Sequence, residues 1–133
     1  MGILGIGVDV LHIPRLLAVI ERRTAKRLAS RILSQVEMST WESLPSCDDA
    51  RRTRFLAVRW SLKEAAYKAV YPIVQPTWKD LTFLSTPDSR KPVLEYHPGS
   101  TCPTVGKLHA SISHDGEYIF TTVLAESTGT SGS

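Results

Sequence analysis

The run "LHASISHDGEYIFTTVLA", residues 108 to 125, constrains the fold more than any other stretch of the chain. Its two halves are alternating or β-branched, and Asp115-Gly116 stands between them. Asp-Gly in that setting is the strongest short-range hairpin signal, so this part of the chain is expected to be an antiparallel pair. Upstream, "DLTFLS" and "PVLEY" share the character and are set off by proline, glycine and serine clusters. Together the four runs predict an antiparallel meander. The first half reads differently. "ILGIGVDV" is a short buried strand ending near Asp9, and Gly5 and Gly7 within it suggest a bulge or a close backbone approach. Pro14 stands where a helix begins, with Leu16, Leu17, Val19, Ile20 and Leu28 at helical spacing and basic residues between them. "SQVE" has capping-box spacing and opens a short helix running to about Leu44, which Pro45 closes. Asp48 and Asp49 are N-cap candidates for a longer helix whose apolar stripe is Phe55, Leu56, Leu62, Ala65, Ala66 and Ala69, stopped by Pro72. A strand, then helices, then a meander is an α+β order: one domain over residues 1–126, with 127–133, "STGTSGS", as a flexible tail.

Composition narrows the classes. A chain of 133 residues that is 42% hydrophobic is large enough to bury a core without cross-links. Its formal charge is only +3, yet the basic residues bunch in "ERRTAKRLASR" and "ARRTRFLAVR", which suit an anionic partner or a solvated face. Nucleic acid is one such partner, but the sheet lacks an aromatic-rich RNP-like strand and no zinc-finger spacing is present. Cys47 and Cys102 lie in no CxxC or Cys/His cluster, which argues against structural zinc and fits a reducing compartment. No apolar run is long enough to span a bilayer, and "LHIPRLLAVI" lacks the context of a signal peptide. The expectation is a soluble intracellular protein without a membrane partner.

Three segments carry residues suited to chemistry. In "RWSLKEAAYKAVYP", Glu64 and Lys68 are one helical turn apart, while Lys63 points about 100° away. Such a pair is either an exposed ion pair or, facing a cleft, a magnesium ligand beside a phosphate-binding ammonium. The small Ala65, Ala66 and Ala69 read as room for something large. Asp9 is the second candidate carboxylate, either a cap or a ligand at a strand end. In "SISHDG", Ser111, Ser113 and His114 form either a plain turn or a polar strand end that meets a nucleotide or phosphate. Without a GxSxG elbow a Ser/His/acid triad is disfavoured.

In combination, "GIGVDVLHIPR", "RILSQVE", "FLAVRWSLKEAAYKA" and "SISHDGEY" resemble, in order and spacing over nearly the whole chain, the holo-acyl-carrier-protein synthases. These are the short trimeric class of 4′-phosphopantetheinyl transferases. The resemblance implies that the 4′-phosphopantetheine arm of coenzyme A is moved to a serine of an apo acyl carrier protein, leaving adenosine 3′,5′-bisphosphate. It makes Asp9, Glu64 and Lys68 the catalytic group, with Asp9 and Glu64 as ligands of magnesium (Mg2+) and Lys68 on the pyrophosphate. Lys63 supports coenzyme A binding, and the alanines leave space for it. Ser113 and His114 meet the nucleotide from a neighbouring subunit of a homotrimer, and Glu64 or a metal-bound water is the base. Arg15, Arg22, Arg23, Lys26 and Arg27 become a docking surface for an acidic carrier protein. One departure is "VYPIVQP", which stands where the family usually has a glycine turn and is reminiscent of eukaryotic members, some of them mitochondrial. The alternatives are a basic nucleic-acid-binding domain and a coenzyme A or carrier-binding module without catalysis.

Overall fold

The computed structural model describes residues 2–85, 91–99 and 103–128. Strand β1 (Ile3–His12) leads directly into helices α1 (Ile13–Arg23), α2 (Ala25–Ile32), α3 (Gln35–Ser43) and α4 (Asp49–Val70). A 3-10 turn (Trp78–Asp80) then precedes strands β2 (Leu81–Leu84), β3 (Val93–Tyr96), β4 (Val105–Asp115) and β5 (Tyr118–Ser127). The α+β class is as expected, but the four later runs do not make one meander. β4 and β5 form a three-stranded antiparallel sheet with β1, in the order β1-β5-β4, while β2 and β3 pair separately.

Local signals place the element ends. The Ser34 hydroxyl accepts from Glu37 N–H while the Glu37 carboxylate accepts from Ser34 N–H, a reciprocal cap that starts α3. Asp48 caps α4 by accepting from Arg51 N–H at 3.0 Å. In the β4–β5 hairpin the two loop residues are Gly116 and Glu117, and Gly116 has φ +57°, so glycine takes the first central position, as in a II′ turn. The expected first helix is broken in two at Thr24, whose φ of 73° no helix tolerates and whose hydroxyl accepts from Arg27 N–H. The first strand also runs past Asp9 to His12, because β5 pairs with it all the way to His12↔Tyr118. At the other end Ser127 is not tail but the last residue of β5, bonded to Gly2, and Thr128 N–H donates to the Thr104 carbonyl. Residues 129–133 of the expected tail, and Cys102, lie outside the described residues; Cys47 is exposed.

The core lies between α4 and the sheets. Leu62, Ala65, Ala66, Ala69 and Val70 pack with Leu81, Phe83, Leu94, Leu108, Val123 and Ala125. A second cluster joins Leu16, Leu28, Ile32, Leu33, Trp41 and Leu56 to Ile119. The close approach read into Gly5 and Gly7 is real: a Cβ on Gly5 would lie 2.0 Å from the Ala69 carbonyl oxygen, and one on Gly7 1.8 Å from that of Ala65. Helix α4 therefore rides on the backbone of β1. The opposite sheet face is uncovered by the other described residues and carries the exposed Ile6, Val8, Val10, Tyr118 and Phe120. No helix among the described residues is long and apolar enough to cross a membrane.

Candidate active site

Where α4 crosses β1, three charged groups meet. Asp9 stands mid-strand opposite Thr121, on the sheet face that α4 covers. The Ser61 hydroxyl donates to Asp9 Oδ2 at 2.9 Å and lies 2.8 Å from the Thr121 hydroxyl, which donates to the Ser61 carbonyl at 3.0 Å. Asp9 is thereby held by Ser61 of α4, which Thr121 of β5 anchors in turn. Lys68 Nζ donates to the Val8 carbonyl at 3.0 Å and lies 3.5 Å from Asp9 Oδ1. Glu64, between Ser61 and Lys68 along α4, has its carboxyl pushed above the usual carboxylate range, first by burial and then by the charge of Asp9, with Lys68 opposing.

Two carboxylates and one ammonium leave a surplus of negative charge around hard oxygen donors. That donor set fits a magnesium ion, which commonly takes one or two protein carboxylates and completes its shell with phosphate oxygens and water. Beside Glu64 opens a cavity of about 380 Å³ walled also by Lys63, Tyr67, Pro76, Thr77, Trp78 and Leu81. It is mostly apolar, and of the three charged groups at the crossing Glu64 is the one in its lining. After α4, Tyr71 stacks on Tyr67 with ring centroids 5.6 Å apart, in place of a glycine turn.

The structure gives other candidates different surroundings. Lys63 does not offer its ammonium to a coenzyme A site. Its Nζ donates to Glu37 Oε1 at 2.6 Å, the Ile32 carbonyl at 2.7 Å and the Trp78 carbonyl at 2.9 Å. An ammonium has three hydrogens, and all are used. Burial pulls Lys63 below the usual lysine range, while the charge and hydrogen bond of Glu37 resist. Ala65, Ala66 and Ala69 are buried in the core, and the space left by Ala65 and Ala69 is taken by β1, not by a ligand. Ser113 pairs with Phe120 and so faces the uncovered side of the sheet, two strands and roughly 10 Å across from β1. His114 lies at the hairpin beside Ile13, Arg54 and Val58. Neither joins Asp9 and Glu64 within one chain. Arg15, Arg22 and Arg23 of α1 and Lys26 and Arg27 of α2 are all exposed.

Residues 5–123 match the family model of the 4′-phosphopantetheinyl transferase superfamily. The chain belongs to that superfamily. A holo-[acyl-carrier-protein] synthase of Mycoplasmoides gallisepticum is 30% identical over 126 residues, covering 93% of this chain and 97% of the relative. The mitochondrial 4′-phosphopantetheinyl transferase B of Aspergillus fumigatus is 35% identical over 144 residues, 92% of this chain and 93% of its own. Among solved structures, a Bacillus anthracis holo-(acyl-carrier-protein) synthase in complex with CoA (3′,5′-ADP) superposes with a TM-score of 0.71 at 27% identity, over 96% of this chain and 99% of the other. The Neisseria meningitidis synthase, at 22% identity and a TM-score of 0.75 over 93% and 98% of the chains, shares the fold. This transferase is thus of the holo-acyl-carrier-protein synthase type.

Sequence reading missed Ser61, Thr121 and Glu37. Ser61 was within reach, since it precedes Glu64 by three residues and shares its helix face. Thr121 carries no local signal, and the capping-box spacing of Glu37 announces only its bond to Ser34, because the other partners of both residues come from distant elements.

Proposed function

We propose that Asp9, Glu64 and Lys68 form the reaction centre of this holo-acyl-carrier-protein synthase, and that the centre is magnesium-dependent. The chain transfers 4′-phosphopantetheine from coenzyme A to an apo acyl carrier protein. The carrier serine oxygen bonds to the phosphorus bearing the pantetheine arm, the bridging P–O bond breaks, and adenosine 3′,5′-bisphosphate leaves. The serine proton goes to a carboxylate or water at the centre. The observation that carries this reading is the meeting of Asp9, Glu64 and Lys68 at the β1–α4 crossing. Asp9 and Glu64 would hold the ion, and its chemistry is to neutralise charge developing on the pyrophosphate oxygens. Lys68 retains hydrogen-bonding capacity toward a phosphate oxygen, since among the described residues it meets only the Val8 carbonyl and, at longer range, Asp9. Ser61 keeps Asp9 from turning away.

The assembly belongs to the same reading. The apolar outer face of the β1-β5-β4 sheet supports a homotrimer, in which Ser113 and His114 of one subunit meet the coenzyme A held by Lys68 of the next. Arg15, Arg22, Arg23, Lys26 and Arg27 supply the positive surface for an acidic carrier protein. The fungal relative supports a mitochondrial location. Incubation with apo carrier protein, coenzyme A and magnesium, followed by mass spectrometry, is expected to show one added phosphopantetheine. Glu64→Gln should slow the gain by about 10²–10³-fold in a time course, and a wild-type rate in that variant would refute the assigned centre.

A further inference from the structure

We infer that Glu37 and Lys63 are positioning residues for the transfer, fixing the Glu64 turn of α4 against the Trp78 wall of the neighbouring cavity. This rests on Glu64 belonging to the reaction centre. A buried ion pair is a poor way to gain stability, because apolar residues of similar volume do as well or better. Here the pair has a geometric use, since nearly every bond it makes goes to the backbone of a separate element. Lys63 takes the carbonyls of Ile32, at the end of α2, and of Trp78, in the 3-10 turn. Glu37 receives Lys63 and Ser34 N–H on Oε1, and Phe83 N–H of β2 on Oε2 at 2.8 Å. The Thr82 hydroxyl donates to that of Ser34 at 2.8 Å. Lys79 adds two further ties from the 3-10 turn, to the carbonyls of Ser30 and Leu33.

Five elements thus converge on one ion pair, and Lys63 is the residue directly before Glu64. The same ammonium holds the carbonyl of Trp78, whose ring stands edge-on to Trp60 of α4 with centroids 5.9 Å apart. The spacing between Glu64 and the Thr77–Trp78 wall is therefore set by hydrogen bonds rather than by packing alone. Losing that spacing should slow the transfer step, because misplacement of about 1 Å can cost 10²-fold. It should leave encounter with the carrier protein nearly untouched.

The test compares Lys63→Met, Glu37→Gln and a control, Leu108→Ala, which opens the core on β4 without removing any bond of the pair. All are assayed with coenzyme A and carrier protein below their melting temperatures, and rates are expressed per folded protein. Expected are a fall in kcat of about 10²-fold for Lys63→Met and about tenfold for Glu37→Gln, with KM for the carrier protein within about threefold. Leu108→Ala should keep its kcat within about twofold. Equal loss in the control at a matched drop in melting temperature would overturn the inference and leave the pair a purely structural one. If Lys63→Met does not fold, Glu37→Gln decides alone. Glu64→Gln, run alongside, separates the two ideas: an undiminished kcat in that variant would condemn the reaction centre itself.

Discussion

Helix α4 carries two lysines five residues apart, each facing a carboxylate, and the two pairs are opposites. Lys63 and Glu37 are 2.6 Å apart with both side chains 1% exposed, whereas Lys68 and Asp9 are 3.5 Å apart with 53% and 15% exposed. The first pair has spent its ammonium hydrogens on protein acceptors, and the second has not. Identical chemistry thus serves architecture on one side of the helix and, in the proposed function, a ligand on the other. Bonds left uncommitted, more than charge, distinguish the lysine proposed to meet the phosphate.

The contrast can be pressed hardest at the buried pair. Lys63→Met strands the Glu37 carboxylate and two carbonyls, and urea titration should show a loss of about 3–5 kcal/mol in unfolding free energy. Next comes the reaction centre. Glu64→Gln should cost about 10²–10³ in kcat, or roughly 3–4 kcal/mol of transition-state stabilisation. The same change should raise the melting temperature of the metal-free protein, because Glu64 is half-buried beside Asp9. Its folded-state pKa lies above the ordinary 4.5, so the folded chain holds a proton that the unfolded chain gives up. Metal-free stability must then fall as pH rises from 4.5 through the folded value, and Glu64→Gln should flatten that slope in thermal melts. Gly7→Ala should cost about 1–3 kcal/mol and reduce activity along with stability, since β1 has to move off α4. Lys68→Met should be the mildest on the fold, below about 1 kcal/mol in the same titration, while losing most of the transfer rate. A stability loss for Lys68→Met as large as for Lys63→Met would erase the distinction between the pairs.

What could be read from the sequence was whatever a few consecutive residues encode. The Ser34–Glu37 cap, the Asp48 cap and the glycine of the β4–β5 turn are satisfied by neighbours within three residues, and each stands as expected. The helical pair of Glu64 and Lys68 was legible for the same reason. Thr24 hid its break because a threonine with positive φ has no compositional signature. Partition of the strands into two sheets was also invisible, since it depends on β1 claiming β5 from more than a hundred residues away. Lys63 was assigned to a ligand because its true acceptors come from Ile32, Glu37 and Trp78, on three other elements. The alanines of α4 signalled a close approach correctly, but the approaching object was a strand.

Those contacts also govern fidelity during folding. β1 alternates Gly5, Gly7 and Asp9 on the α4 side with Ile6, Val8 and Val10 on the other. A slip by one residue would drive an isoleucine or valine into carbonyl oxygens that already stand within 2.0 Å of any added Cβ. A slip by two would present Ile3 or Asp9 to the same oxygens. The two glycines work as the notches of a key, admitting the strand in one register and refusing its neighbours, and that register is the one that sets Asp9 against Ser61.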